Sequence, residues 1–228
     1  MRASSFWSMF SSPVATLESL REHPRWFFPT LFSALISAAV NLYLIQRVGL
    51  GSLINAAAQA ETAFDQEALA QNALAHSGQI LFFQCAATVF SSFFVALLTA
   101  KVLWLLITLF GYDLLFKRTL AVVAHANMLA VILREGMTAL AATIIQNPRA
   151  LDLKNPLATN VTFFLHPTSL VLSRILVSLD LITLLNIGLL VLGLAKVAPR
   201  LSLRAASMTV VIPWVMYVGA TLLIPGQH

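Results

Sequence analysis

Hydrophobic residues in this chain fall into long uninterrupted runs rather than the spaced stripes of a soluble protein. Five runs, residues 26–48, 80–110, 120–146, 171–196 and 205–224, are separated by more polar segments. Each matches or exceeds the ~20 residues a helix needs to cross ~30 Å of hydrocarbon. None alternates with a period of two, so each is read as a helix. Inside a bilayer only helices and closed barrels satisfy their own backbone hydrogen bonds. The pattern predicts an all-α, polytopic membrane bundle of five transmembrane helices with amphipathic interfacial helices. Residues 1–25 form an N-terminal interfacial segment and 26–224 a single five-helix membrane domain, with external segments at 49–79 and 147–170.

The intervening segments carry a second pattern. In residues 12–23, Ser12 can cap a helix, Pro13 takes its first position, and Val14, Leu17 and Leu20 share a stripe beside Glu18, Arg21 and Glu22. Phe6, Trp7 and Phe10 precede this stripe and Trp26 follows it, so the segment is expected to lie in the headgroup layer as an aromatic anchor. Residues 52–76 read as another amphipathic helix, with Leu53, Ala57, Ala60, Phe64 and Leu69 near one face. Residues 147–169 contain Pro148, Pro156 and Pro167, which break a helix, and read as an external loop packed back through Phe163 and Phe164.

Composition supports the spans: 59% of residues are hydrophobic and 10% charged, where a soluble domain carries about a quarter charged. The net charge of +5 is dispersed at span ends, so nucleic acid is not an expected partner and the charges act as topology signals. Arg2, Arg21, Arg25, Lys117, Arg118, Lys196, Arg200 and Arg204 all fall on one side of the predicted membrane. The opposite side holds Arg47, Arg149 and Lys154 with Glu61, Asp65, Glu67 and Asp152. This asymmetry predicts a cytoplasmic N-terminus and an outer C-terminus. No short apolar core lies near Met1, so the first run is expected to stay as an anchor. The single Cys85 excludes an intramolecular disulfide and a multi-cysteine metal site within one chain.

Charges within hydrocarbon are costly and therefore mark candidate functional positions. Arg134 and Glu135 adjoin in the third run, and Arg174 and Asp180 lie in the fourth. Counting along the helices puts Arg134 and Asp180 at similar depth, which predicts an ion pair between them. Asn127, Thr138, Thr183 and Asn186 can add interhelical hydrogen bonds. The preferred reading is a structural clamp; the sharper one is an ion or proton path with Glu135 and Asp180 as carriers. The clamp is preferred because a carrier site needs more convergent polar groups than these. Lys101 lies within the second run and is expected to snorkel to the inner headgroups, as an interface anchor. Ser33 and Ser37, like Ala34 and Ala38, place small residues at four-residue spacing for close packing. Pro213 falls inside the fifth run, where a kink is tolerated.

Catalytic patterns are weak. The histidines at 23, 76, 125, 166 and 228 are dispersed, with no second ligand at helical spacing, so neither a metal nor another cofactor is expected. Tyr112-Asp113 is similar to the first aspartate motif of intramembrane aspartyl proteases, but Asp180 lacks the flanking glycine of the second. No serine lies in a glycine-flanked nucleophile turn. No catalytic residue is assigned, and the chain is expected not to be an enzyme.

The order of features resembles the Yip family (Ypt/Rab-interacting-protein-like membrane proteins), in its bacterial branch. The resemblance rests on Ser12-Pro13-Val14-Ala15-Thr16-Leu17, His23-Pro24-Arg25-Trp26, Phe110-Gly111-Tyr112 and Asn155-Pro156-Leu157-Ala158-Thr159-Asn160. It continues through Leu179-Asp180-Leu181 and Gly193-Leu194-Ala195 to Leu203-Arg204-Ala205-Ala206 and Trp214. Leu-Asp-Leu is usually followed by a tryptophan in that family, whereas this chain has Leu184-Leu185-Asn186. The resemblance implies a five-helix protein of a bacterial inner membrane that organises the bilayer, a membrane-protein partner or further copies of itself. A small transporter or channel using Glu135 and Asp180 is the alternative. The eukaryotic relatives' link to Rab GTPases goes with a long soluble N-terminal region, so it does not carry over to a chain with about 25 residues before its first span.

Overall fold

The computed structural model describes residues 4–48, 77–144, 165 and 169–223; the side chains of residues 4–7, 48, 77, 170 and 174 are outside that description. The amphipathic helix expected over 52–76, the loop expected over 147–169 and the side chains of Phe6, Trp7 and Arg174 therefore fall almost wholly outside the described residues. Eight helices of seven or more residues account for most of the described chain: α1 (Ser4–Ser11), α2 (Pro13–Ser19), α3 (Phe27–Val48), α4 (Ser77–Leu109), α5 (Phe116–Ile144), α6 (Leu170–Ser178), α7 (Leu181–Val197) and α8 (Leu203–Leu223).

Four of them, α3, α4, α5 and α8, are long and apolar enough to cross a membrane, and α7 is a shorter apolar helix. Their outer surfaces agree with burial in lipid. On α4, Phe82, Phe90, Phe94, Leu98 and Leu105 are all exposed, a continuous apolar stripe that water would not tolerate. The fold is an all-α membrane bundle.

Local chemistry explains where helices stop. Gly111 takes φ +82, letting Tyr112 N–H reach the carbonyl of Ile107 and Gly111 N–H that of Thr108, the paired bonds of a Schellman cap that ends α4. The indole N–H of Trp104 donates to the carbonyl of Leu114 at 2.8 Å and fixes the turn into α5. Ser202 accepts from Ala205 N–H at 3.2 Å and caps α8. Pro213 sits inside α8, where its missing N–H leaves the carbonyl of Thr209 without its usual helical donor.

The fourth predicted span, 171–196, is not one helix. It breaks between Ser178 and Leu181, without glycine or proline, because Asp180 adopts an extended backbone and caps α7: its carboxylate accepts the backbone N–H of Thr183 at 3.1 Å. An aspartate followed three residues later by threonine offers the backbone a cap, which competes with helix continuation.

α5 is the central element, packing against α3, α4 and α7. Residues Thr119, Leu120, Ala121, Val122, Val123, Ala124, His125 and Ala126 are all buried in succession, so this half of α5 is enclosed on every side. Ala121, Ala124 and Ala126 supply small side chains that allow that enclosure. On α3, Ala34 and Ala38 are buried, in keeping with close approach at four-residue spacing.

The N-terminal segment packs on the end of the bundle. α2 packs against α7 and α1 touches α5, and Met9, Leu17 and Leu20 join the main core. The stripe faces the bundle; Phe10 and Val14 remain outside. Lys196 on α7 holds Glu18 at 2.6 Å across this contact. Trp26 is half-buried, edge-on to Phe27 and Phe93 and packed on the core.

Candidate functional site

Helix geometry brings the intramembrane polar residues to common levels. Measured from the end of the bundle bearing Lys117 and Lys196, Asn127 on α5 and Asn186 on α7 both lie about 16 Å in, and Arg134 and Asp180 both about 26 Å in. The Asn186 amide donates to Asn127 Oδ1 at 3.1 Å. Arg134 Nη2 lies 3.5 Å from Asp180 Oδ2 and 3.4 Å from Thr183 Oγ1. Thr183 Oγ1 in turn donates to the same Asp180 oxygen at 3.2 Å. Asp180 thus ties α5 to α7 while capping α7.

Glu135 points to the other side of α5, where Ser37 Oγ of α3 donates to its Oε1 at 3.0 Å. Farther along the same pair of helices, Tyr43 and Thr143 join through their hydroxyls at 2.8 Å, and Asn41 reaches Thr88 on α4 at 3.5 Å. Thr138 bonds back to the carbonyl of Arg134 within α5 rather than to a neighbouring helix. The adjacent pair Arg134 and Glu135 therefore fastens α5 to α7 with one residue and to α3 with the next.

Between α3, α4, α5 and α7 lies a cavity of about 400 Å³, lined by Thr30, Ser33, Ser91, Ser92, Asn127, Arg134, Thr183 and Asn186 among small apolar residues. Neither Asp180 nor Glu135 borders it. Sequence reading selected Arg134, Asn127, Thr183 and Asn186 but missed Thr30, Ser91 and Ser92. Their signal was weak, because single hydroxyls are common in membrane helices and bond to their own backbone.

Lys101 is not part of this cluster. Its Nζ lies 4.3 Å from the centre of the Trp104 ring and 5.8 Å from that of Phe116, a cation–π arrangement near the turn that follows α4. His125 is buried and its Nδ1 bonds to the carbonyl of Ala121, one turn back, at 2.8 Å. Among the described residues, no three His, Cys, Asp or Glu side chains converge as a metal site would require.

Fold and site together define a helical membrane bundle with an apolar core and a cluster of polar side chains between α3, α5 and α7. No protein-family model, curated protein or solved structure matches the chain.

Proposed function

We propose that this is a non-enzymatic multi-pass membrane protein that organises lipids or partner membrane proteins, the role implied by its resemblance to the Yip family. The observation that supports this reading is the engagement of both intramembrane carboxylates. Asp180 is occupied by Arg134 and by its own helix N-terminus, and Glu135 by Ser37. Both stand outside the polar cavity. A cation or proton carrier needs an ionisable group that water can reach and that alternates between partners. Here the carboxylates act as fasteners between α3, α5 and α7. The exposed apolar face of α4 then offers surface to lipid or to a partner helix.

The resemblance implies a bacterial inner membrane, and the basic residues at one end of the bundle favour a cytoplasmic N-terminus. Extraction with native lipid, followed by quantitative mass spectrometry of wild type, Asp180→Asn and Glu135→Gln, tests the reading. A specific membrane protein near equal stoichiometry, lost when the clamp is weakened, is expected. Recovery of the chain with lipid alone, together with cation flux in liposomes, would overturn it.

A further inference from the structure

A positive charge sits on the face that α4 turns outward. Phe90, Phe94, Leu98, Lys101 and Leu105 follow one another at three- or four-residue intervals, so they form one stripe of the helix, and all five are exposed. The stripe is apolar on both sides of Lys101, and Leu109 extends the exposed apolar surface to the end of α4, about 12 Å farther on. A cation placed among lipid in this way is costly unless an anion meets it.

Protein groups fix that ammonium without neutralising it. Its Nζ lies 4.3 Å from the centre of the Trp104 ring and 5.8 Å from that of Phe116. Trp104 is itself pinned, because its indole N–H donates to the carbonyl of Leu114 at 2.8 Å. Phe116 opens α5, so the ammonium lies beside the turn where Lys117 and Arg118 follow in sequence, with Lys117 exposed. No ion pair among the described residues uses any of these three cations. Asp113, in the turn between α4 and α5, offsets one of the three charges, which leaves the region positive.

A phosphate supplies the missing counter-charge, and a phospholipid brings acyl chains that match the apolar stripe. Charge narrows the headgroup further. One with its own ammonium would set a cation against Lys101 and Lys117, and the Trp104 face that attracts a choline is already taken by Lys101. We propose that α4 and the start of α5 bind one anionic phospholipid, its phosphate between Lys101 and Lys117 and its chains along Phe90, Phe94 and Leu98. This deepens the organising role proposed above by naming a lipid class, and rests on that reading for placing lipid against α4.

The test uses the full chain in nanodiscs of equal phosphatidylglycerol and phosphatidylcholine, with native mass spectrometry counting the lipids that each protein molecule keeps. Wild type is expected to keep phosphatidylglycerol over phosphatidylcholine by about fivefold or more, and Lys101→Met to lose about fivefold of that preference, the share of one charge near a membrane surface. Lys117→Gln, exposed at the start of α5, is expected to lower it as well, whereas Arg200→Gln, exposed in the turn before α8, leaves it unchanged. The unfolding temperature of Lys101→Met in phosphatidylcholine alone is expected to match wild type, which separates lost lipid from lost fold. Equal retention of the two lipids by wild type, undiminished preference in both Lys101→Met and Lys117→Gln, or an equal fall in Arg200→Gln overturns the proposal. Recovery of a partner protein, which tests the organising role, is read separately from this lipid ratio.

Discussion

Among the described glycines, Gly193 is the one most closely approached by its neighbours. A Cβ built there would lie 2.5 Å from Val122 Cγ1 and 3.1 Å from Leu17 Cδ2, so α7, α5 and α2 meet at a position that only hydrogen fits. Gly193→Ala is expected to lower stability by about 1–3 kcal/mol through overpacking. Val122→Ala in the same chain should recover much of that loss by making room, although alone it leaves a cavity. Thermal unfolding of the two single variants and the double variant in one detergent measures the coupling; independent, additive losses would contradict the contact. The sequence displayed Gly193 only as part of a family-like string, because a glycine inside an apolar run does not announce which neighbours approach it. The Arg134–Asp180 level, by contrast, was readable, since helical rise alone equates their depths.

At the scale of elements, the helix break at Asp180 carries the clearest consequence. Asparagine caps a helix about as well as aspartate, but it cannot pair with Arg134 as a charge. Asp180→Asn should therefore keep the start of α7 and weaken only the tie to α5, whereas Asp180→Ala loses both. The expected cost of the alanine variant exceeds that of asparagine by about 1 kcal/mol, the typical value of a cap. Equal destabilisation by the two would mean that the capping bond to Thr183 contributes nothing. Four predicted spans have their counterparts in α3, α4, α5 and α8 because continuous hydrophobicity over twenty or more residues leaves the backbone little choice. The fourth run was read as unbroken because hydropathy does not register a capping carboxylate. The cue, Asp180 with Thr183 three residues on, was present but subordinate to the apolar run.

For the whole molecule, the N-terminal helix pair α1–α2 behaves as part of the bundle. Its amphipathic stripe was visible in the sequence, but periodicity defines a face and not what covers it. Leu17 is completely buried, so Leu17→Ala is expected to cost about 2–5 kcal/mol and to expose the segment around Arg21 to protease. Glu18→Ala removes an ion pair whose two side chains are about half exposed and should cost no more than about 1 kcal/mol. Limited proteolysis of both variants separates the contributions; a larger effect from Glu18 would mean that charge rather than packing holds the helix pair. The polar cavity was the least legible feature, since it is assembled from four helices whose hydroxyls look unremarkable one at a time.

The central claim is that the intramembrane carboxylates fasten helices and do not carry ions. Proteoliposomes containing wild type, Asp180→Asn or Glu135→Gln, assayed for proton and cation flux alongside unfolding temperature in the same lipid, test it directly. The account predicts no flux above empty liposomes for any of the three and a lower unfolding temperature for both variants. Flux in wild type that vanishes in either variant while its unfolding temperature stays unchanged would contradict it.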